Sequence, residues 1–422
     1  MKYLIKDCKI IDKQSKLNGK RVDILIEKGK ISDIKKGITH DKANVIKGKN
    51  LCVSVGWMDI GTHLGEPGYE HRETFESLAN AALSGGYTDI ATMPQSLPAI
   101  QSKAQIKNLI RAGQSNGVDI HPLGALSNDL KGENITEFVD MHHGGAVGFT
   151  DGLSTVEKGG LLMRALQYVK SFDGVILHHP NDSSLSNDDL IHEGEVSTSM
   201  GMKGSPSLAE ELTVYRDVQL NAYAESRLCI HLVSSSNAVA IIKSQKKKEN
   251  SITAGVSYLN LIKTDEDLVT FDSNLKVKPL LRSTKDRRSL QKAVADDVLD
   301  YISSNHTPLE IEKKHLEYPY AAHGAIGLET TFAALHSFAS KNIELDTIIE
   351  KLTVGPRSVL QLESPSLEVG QDAKLTVFDP SIEWTYEKSD IKSSSKNSPF
   401  IGSTFTGKVI ATINKNRVYQ NK

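Results

Sequence analysis

A chain of 422 residues can bury a large core, and one large domain with a smaller companion is the natural division. Its net charge of −2, with 24% charged residues, excludes a dominant basic face for nucleic acid or an anionic membrane. Three widely spaced cysteines, Cys8, Cys52 and Cys229, form neither a disulfide framework nor a zinc ribbon.

The opening "MKYLIKDCKIIDKQ" alternates as a strand does and lacks the apolar core of a signal peptide. No apolar run is long enough to span a bilayer, so a cytoplasmic chain is expected. "RVDILIEKGKISDIKKG" adds further short strands within residues 1–51. From about residue 52, short apolar runs alternate with amphipathic helical patterns, the signature of a parallel sheet with crossover helices. "VSVGWMDIG" leads to "ETFESLANAALSGG", "TDIATMPQ" to "KAQIKNLIRAGQS", "VDIHPLGAL" to "NITEFVDMHHGG", and "AVGFTD" to "GGLLMRALQYVKSF". "GVILHHP" precedes "SLAEELTVYRDVQLNAYAES", and "RLCIHLVSS" precedes "NAVAIIKSQKKK". The lysines Lys246–Lys248 suit a solvated helix C-terminus. "SITAGVSY" leads, after a loop, to "TKDRRSLQKAVADD", and "LDYISSNH" to "GLETTFAALHSFAS".

Eight such units within residues 52–365 predict an α/β fold, a closed (β/α)₈ TIM barrel. An open doubly wound sheet would more readily carry a glycine-rich dinucleotide turn after its first strand, and none is present. "DAKLTVFDP" and "FTGKVIATINKNRVY" alternate again as strands. Residues 1–51 and 366–422 are therefore expected to pair into one small composite β domain. Residues 387–400, "EKSDIKSSSKNSPF", are predicted as a polar loop inside it, with no site.

In such a barrel the chemistry sits on loops leaving the C-terminal ends of the strands. Those positions carry His63 after the first strand, Asp151 after the fourth, His178 and His179 after the fifth, His231 after the sixth, and Asn305-His306 after the eighth. Histidines and a carboxylate converging on one mouth are the donors of a zinc site. A hydrolytic site also needs a carboxylate to take the proton from metal-bound water, and Asn305 cannot do that work. Other polar residues have plainer readings: His142-His143 as surface, Cys229 as core, Glu329 as a helix-start carboxylate, and Asp182 as support behind His179.

The segment "MDIGTHLGEPGYEHRET" is similar to the Asp-x-His-x-His-x-Arg-Glu-Pro-Gly motif of the dihydroorotases in the amidohydrolase superfamily. "HEGEVSTSMGMKGSPSLAEELTVYRD", "DSNLKVKPLLRS", "GAIGLETT", "GQDAKLTVFDP" and "SPFIGSTFTGKVIATI" resemble further family segments in the same order, nearly end to end. The resemblance implies the barrel with a composite β domain, and one or two zinc ions. Its first metal site would fall on Gly61, His63, Asp151 and Asn305, where the family has two histidines and two aspartates. Its second would fall on Asp151, His179 and His231, all retained. The substrate contacts depart as well. Gly65 replaces an arginine, Gln95 and Lys278 replace asparagines, Leu309 replaces a histidine, and Ser257–Leu261 stands for Thr-Pro-His-His-Leu. Loss of the arginine removes several kcal/mol of carboxylate recognition, and loss of the base on the order of 10² to 10⁴ in rate.

These departures make the chain resemble a pseudo-dihydroorotase of de novo pyrimidine biosynthesis, with no intact catalytic residue and an assembly role. The implied partner is aspartate carbamoyltransferase, and the family implies a homodimer; neither nucleic acid nor membrane is expected. At most one zinc ion is expected, with a metal-free chain as the alternative. The competing reading is an active zinc-dependent cyclic-amide hydrolase built on Asp151, His179 and His231, with His63 or His306 carrying the proton. The lost side chains also predict a mouth wider at the first strand and more apolar at the seventh.

Overall fold

The computed structural model describes residues 2–186, 190–248 and 251–421. Eight parallel strands stand in sequence order: Trp57–Thr62, Tyr87–Thr92, Asp119–Ala125, Gly148–Thr150, Val175–His178, Arg227–Ile230, Ile252–Ser257 and Tyr301–Ser303. The first and eighth meet through side chains as well as backbone. The Asp59 carboxylate accepts from Ser304 N at 2.6 Å and Ser304 Oγ at 2.9 Å, while His63 N donates to His306 O at 2.9 Å. This nearly closed barrel is the (β/α)₈ architecture expected from the alternating pattern.

The helices form for local reasons. Ser102 caps helix Lys103–Asn116, Gly117 ends it in the left-handed conformation (φ +90°), and Ile106, Leu109 and Gly113 bury one face. Helix Leu345–Val359, which the strand-helix count passes over, lies beneath the barrel with Ile348, Ile349 and Leu352 buried.

The small domain is one sheet made from both ends of the chain. Its path runs Arg417–Gln420, Thr404–Asn414, Lys374–Thr385, Cys52–Val55, Lys2–Ile10, Arg21–Glu27, Lys30–Lys35, with Asn44–Ile46 also on Lys2–Ile10. Cys52–Val55, expected in the barrel, thus belongs to the small sheet, antiparallel to Phe378–Leu375. The barrel proper begins at Trp57, because Gly56 N is already bonded to Lys374 O. Trp57, Phe332 and Phe378 pack with ring centroids 5.0 to 5.7 Å apart and join barrel, helix Thr331–Ala339 and small sheet in one apolar contact. No helix among the described residues is long and apolar enough to cross a membrane.

Candidate functional site

The strand ends converge on one mouth, as expected. Gly61 sits in a bulge of the first strand at φ +114°, where the register shifts between Ile60 and Thr62. A Cβ there would stand 2.9 Å from Ser303 Oγ and 3.3 Å from His231 Nε2. A side chain at this position would meet His231, so the missing histidine is missing from the site itself. Ser303 and His231 occupy the vacated volume, since a packed interior does not keep a void.

His231 is buried, with Nδ1 2.6 Å from the Tyr301 hydroxyl and Nε2 without a partner among the described residues. Burial, then the neighbouring His179 and His63, hold it well below the ordinary imidazole value. The Nε2 of His63 is also buried and unpartnered, and burial, then His306 and Arg72, pull its pKa down to about 4. His179 Nδ1 lies 3.3 Å from His231 O. Both Asp151 oxygens accept from Ser127, from N at 2.9 Å and Oγ at 2.5 Å, and burial raises the carboxyl above its usual range. Asn305, at φ +47°, donates from Nδ2 to Lys278 O at 2.7 Å, and its Oδ1 has no partner.

Among the described residues no group of three or more His, Cys, Asp or Glu side chains is arranged to hold a metal ion. Asp151, His179 and His231 keep the residue types of the second metal site, and each Asp151 oxygen accepts one bond from Ser127.

The substrate positions have closed. A Cβ at Gly65 would fall 2.3 Å from Tyr69 O and 2.4 Å from Glu73 O, so the following loop fills the place of the arginine. Gln95 lies over Gly152, where a Cβ would be 1.6 Å from its Nε2, and that nitrogen donates to Asp151 O at 3.2 Å. Leu259 lies in the short helix Tyr258–Ile262 after the seventh strand and is buried in the main apolar cluster. What remains is a cavity of about 180 Å³ lined by His63, Gly65, Tyr69, Arg72, Gln95 and Leu309. His179 and Lys278 border a separate niche of about 20 Å³. Ligand pockets are usually of roughly 300–1,000 Å³.

A plug that the sequence did not announce covers the mouth. Residues 391–397, placed by their polarity inside the small domain, reach over the barrel instead. Glu73 accepts from Ser393 Oγ, from Ser394 N at 3.0 Å and from His306 Nε2 at 3.1 Å. Burial alone would raise Glu73, but His306, Ser393 and Ser77 together hold it below its usual value. Asn397 donates to Thr307 O at 2.9 Å and Gly324 O at 3.2 Å and accepts from Leu309 N at 3.2 Å. Glu329 is more than a helix-start carboxylate. It accepts from Lys392 N at 2.9 Å and Ser393 N at 3.1 Å, and burial pushes it up to about 7.

His306, a candidate proton carrier, is committed to Glu73 and to Gly327 N at 3.2 Å. His178 belongs to the scaffold, donating to Asp217 at 2.5 Å and accepting from Val156 N at 2.9 Å. Asp182 accepts from Ser184 N at 2.9 Å within its own turn. His142 and His143 are exposed and Cys229 is buried, both as read from the sequence.

The family model described as Dihydro-orotase-like matches residues 51–238. The dihydroorotase of Syntrophus aciditrophicus is 36% identical over 425 aligned residues covering 100% of both chains. The chain belongs to the dihydroorotase family. The dihydroorotase of Syntrophotalea carbinolica is 34% identical, with 99% of each chain covered. Among solved structures, L-hydantoinase (dihydropyrimidinase) from Arthrobacter aurescens superposes with a TM-score of 0.87 at 24% identity, covering 100% of this chain and 96% of that one. Dihydropyrimidinase from Brevibacillus agri gives 0.83 at 19% identity, with 99% and 95% covered. The structural likeness carries the fold, a metal-dependent-hydrolase barrel with its β domain. Within a generally metal-dependent family, this dihydroorotase-family chain departs at the mouth.

Proposed function

We propose that this chain is a pseudo-dihydroorotase, with little or no hydrolysis of dihydroorotate, serving assembly in de novo pyrimidine synthesis in the cytoplasm. The observation that carries the reading is position 65, where backbone oxygens of Tyr69 and Glu73 stand 2.3 and 2.4 Å from any added Cβ. An arginine side chain cannot stand at that position, and Arg72, the cation lining the remaining cavity, is paired with Glu310. Asn305 supports the reading, since its amide stands at the general-base position and is bonded to Lys278 O. The partner the reading names is aspartate carbamoyltransferase, with the chain itself a homodimer.

Mixing the purified chain with aspartate carbamoyltransferase of the same organism, and weighing the products by light scattering after gel filtration, tests the assembly. A stoichiometric complex is expected, and separate elution at micromolar concentration contradicts it. A second reading, a cyclic-amide hydrolase with one zinc ion, draws on the unpartnered Nε2 atoms of His63 and His231. Zinc bound one to one, together with turnover, would favour it.

A further inference from the structure

Outside the plug, the loops over the mouth leave a groove of about 810 Å³, walled by residues 309–315 after the eighth strand and by parts of 388–401. Its titratable lining is unbalanced. Lys314, Lys388 and Lys396, with His71 and His315, line it beside Glu310 and Glu312, while Asp272 acts on Lys314 and Glu73 and Glu329 act on Lys396 from behind the lining. Glu310 is already taken by Arg72, whose Nε and Nη2 donate to it at 2.6 and 3.0 Å. In a chain of net charge −2 this is a local concentration of cations.

Lys314 is 5% exposed, and its ammonium is met by carbonyls, Ala322 O at 2.8 Å and Lys276 O at 3.4 Å. Among the described residues no carboxylate lies within ion-pair distance of Lys314, Lys388 or Lys396. A buried ammonium without an acid is costly, and burial pulls Lys314 down to about 7. An incoming carboxylate would reverse both effects.

The rim is apolar. Ile311 is 67% and Ile401 42% exposed, and both line the groove. Large apolar side chains gathered around a cationic trough mark an interface; a small anion would need no such rim.

We propose that this groove docks an acidic segment of another protein that also carries apolar side chains, with its carboxylates on Lys314, Lys388 and Lys396 and its apolar groups on Ile311 and Ile401. The proposal rests on the assembly reading and names the chemistry of the partner surface. It gives the plugged mouth a use: loops that once admitted substrate present a fixed surface.

The test uses the full-length chain and a short fluorescein-labelled peptide in which glutamate alternates with leucine, read by anisotropy. Saturable binding is expected, weakened about tenfold by Lys388→Glu and by Ile311→Asp and falling with salt, as charge-complementary contacts do. Both positions are exposed, so unchanged thermal melting verifies the fold of the variants. No binding, or equal binding of a glutamate-serine peptide or a single-stranded oligonucleotide, overturns the proposal. Dihydroorotate turnover is followed on the same preparation. Turnover with peptide binding removes only the non-catalytic reading, and no turnover without binding removes only the docking groove.

Discussion

At the N-terminal end of the barrel the Asp89 carboxylate accepts from Arg357 Nη2 at 2.7 Å, Lys374 Nζ at 2.9 Å, His121 Nε2 at 2.8 Å and Thr88 Oγ1 at 2.7 Å. At the C-terminal mouth, His63 Nε2, His231 Nε2, Asn305 Oδ1, Gln95 Oε1 and Ser257 Oγ are buried with no partner among the described residues. Folding pressure alone pairs buried polar groups, as it has at Asp89. Orphaned groups on the functional face of a barrel are the trace of a role that packing does not explain. The difference teaches where to look. The lower end is not free of such groups, since Tyr87 OH, Ser226 Oγ and Arg227 Nε are also unpartnered among the described residues, but its buried carboxylate is fully paired, whereas at the mouth it is the candidate site residues themselves that are left over.

The largest expected effect is at the lower end. Asp89→Asn leaves Arg357 buried without its charge partner and should cost roughly 3–5 kcal/mol in urea unfolding. Burial alone would raise the Asp89 carboxyl, but Arg357, His121 and Lys374 hold it well below its usual range. Between the two values the unfolded chain binds the proton that the folded chain does not. This stability is therefore present above the ordinary carboxylate range and lost as pH falls through the folded value. Unfolding midpoints measured across acid pH should show that slope in the native chain and a shallower one in the variant.

At the mouth, Gly61→His with Asn305→Asp restores the family's residue types. The double variant should lose about 1–3 kcal/mol, because a non-glycine residue at φ +114° is strained and its Cβ meets Ser303 Oγ at 2.9 Å. With zinc added its turnover should stay at background, since Gly65 remains closed by the loop. Turnover in that variant would place the defect in the ligands alone. Asn397→Ala, which frees the plug from Thr307, Gly324 and Leu309, should cost about 1–3 kcal/mol and speed amide hydrogen exchange across residues 391–398. The smallest effect is at His63. His63→Leu removes an unpartnered imidazole nitrogen and should change stability by less than about 1 kcal/mol, in either direction. A larger loss would mean that the imidazole has a partner in solution.

The barrel was legible because its signal is local. Each short apolar strand followed by an amphipathic helix can be read within one stretch of chain. The positions of His63, Asp151, His179 and His231 were legible for the same reason, as each closes a strand. Their partners were not. Ser127 and Tyr301 bear no mark that assigns them to Asp151 and His231, and the plug residue Ser393 meets Glu73 across 320 residues of chain. Polarity alone gave residues 387–400 to the small domain, because a serine-rich stretch reads as solvated whether it faces water or a barrel mouth. The closing of position 65 was equally hidden. The sequence records a glycine, and only the fold reveals that backbone oxygens have moved into the space beside it.

The most direct measurement is turnover of dihydroorotate, followed in hydrolysis and in closure of carbamoyl aspartate, by the purified full-length chain with excess zinc. The account predicts no rate above background in either direction, with an active member of the family assayed alongside as the control. Turnover at an ordinary enzymatic rate, on the order of 1 to 10³ per second, would contradict it. Such a rate would mean that the mouth opens, that the loop at Gly65 moves aside, and that the residues left there suffice for the chemistry.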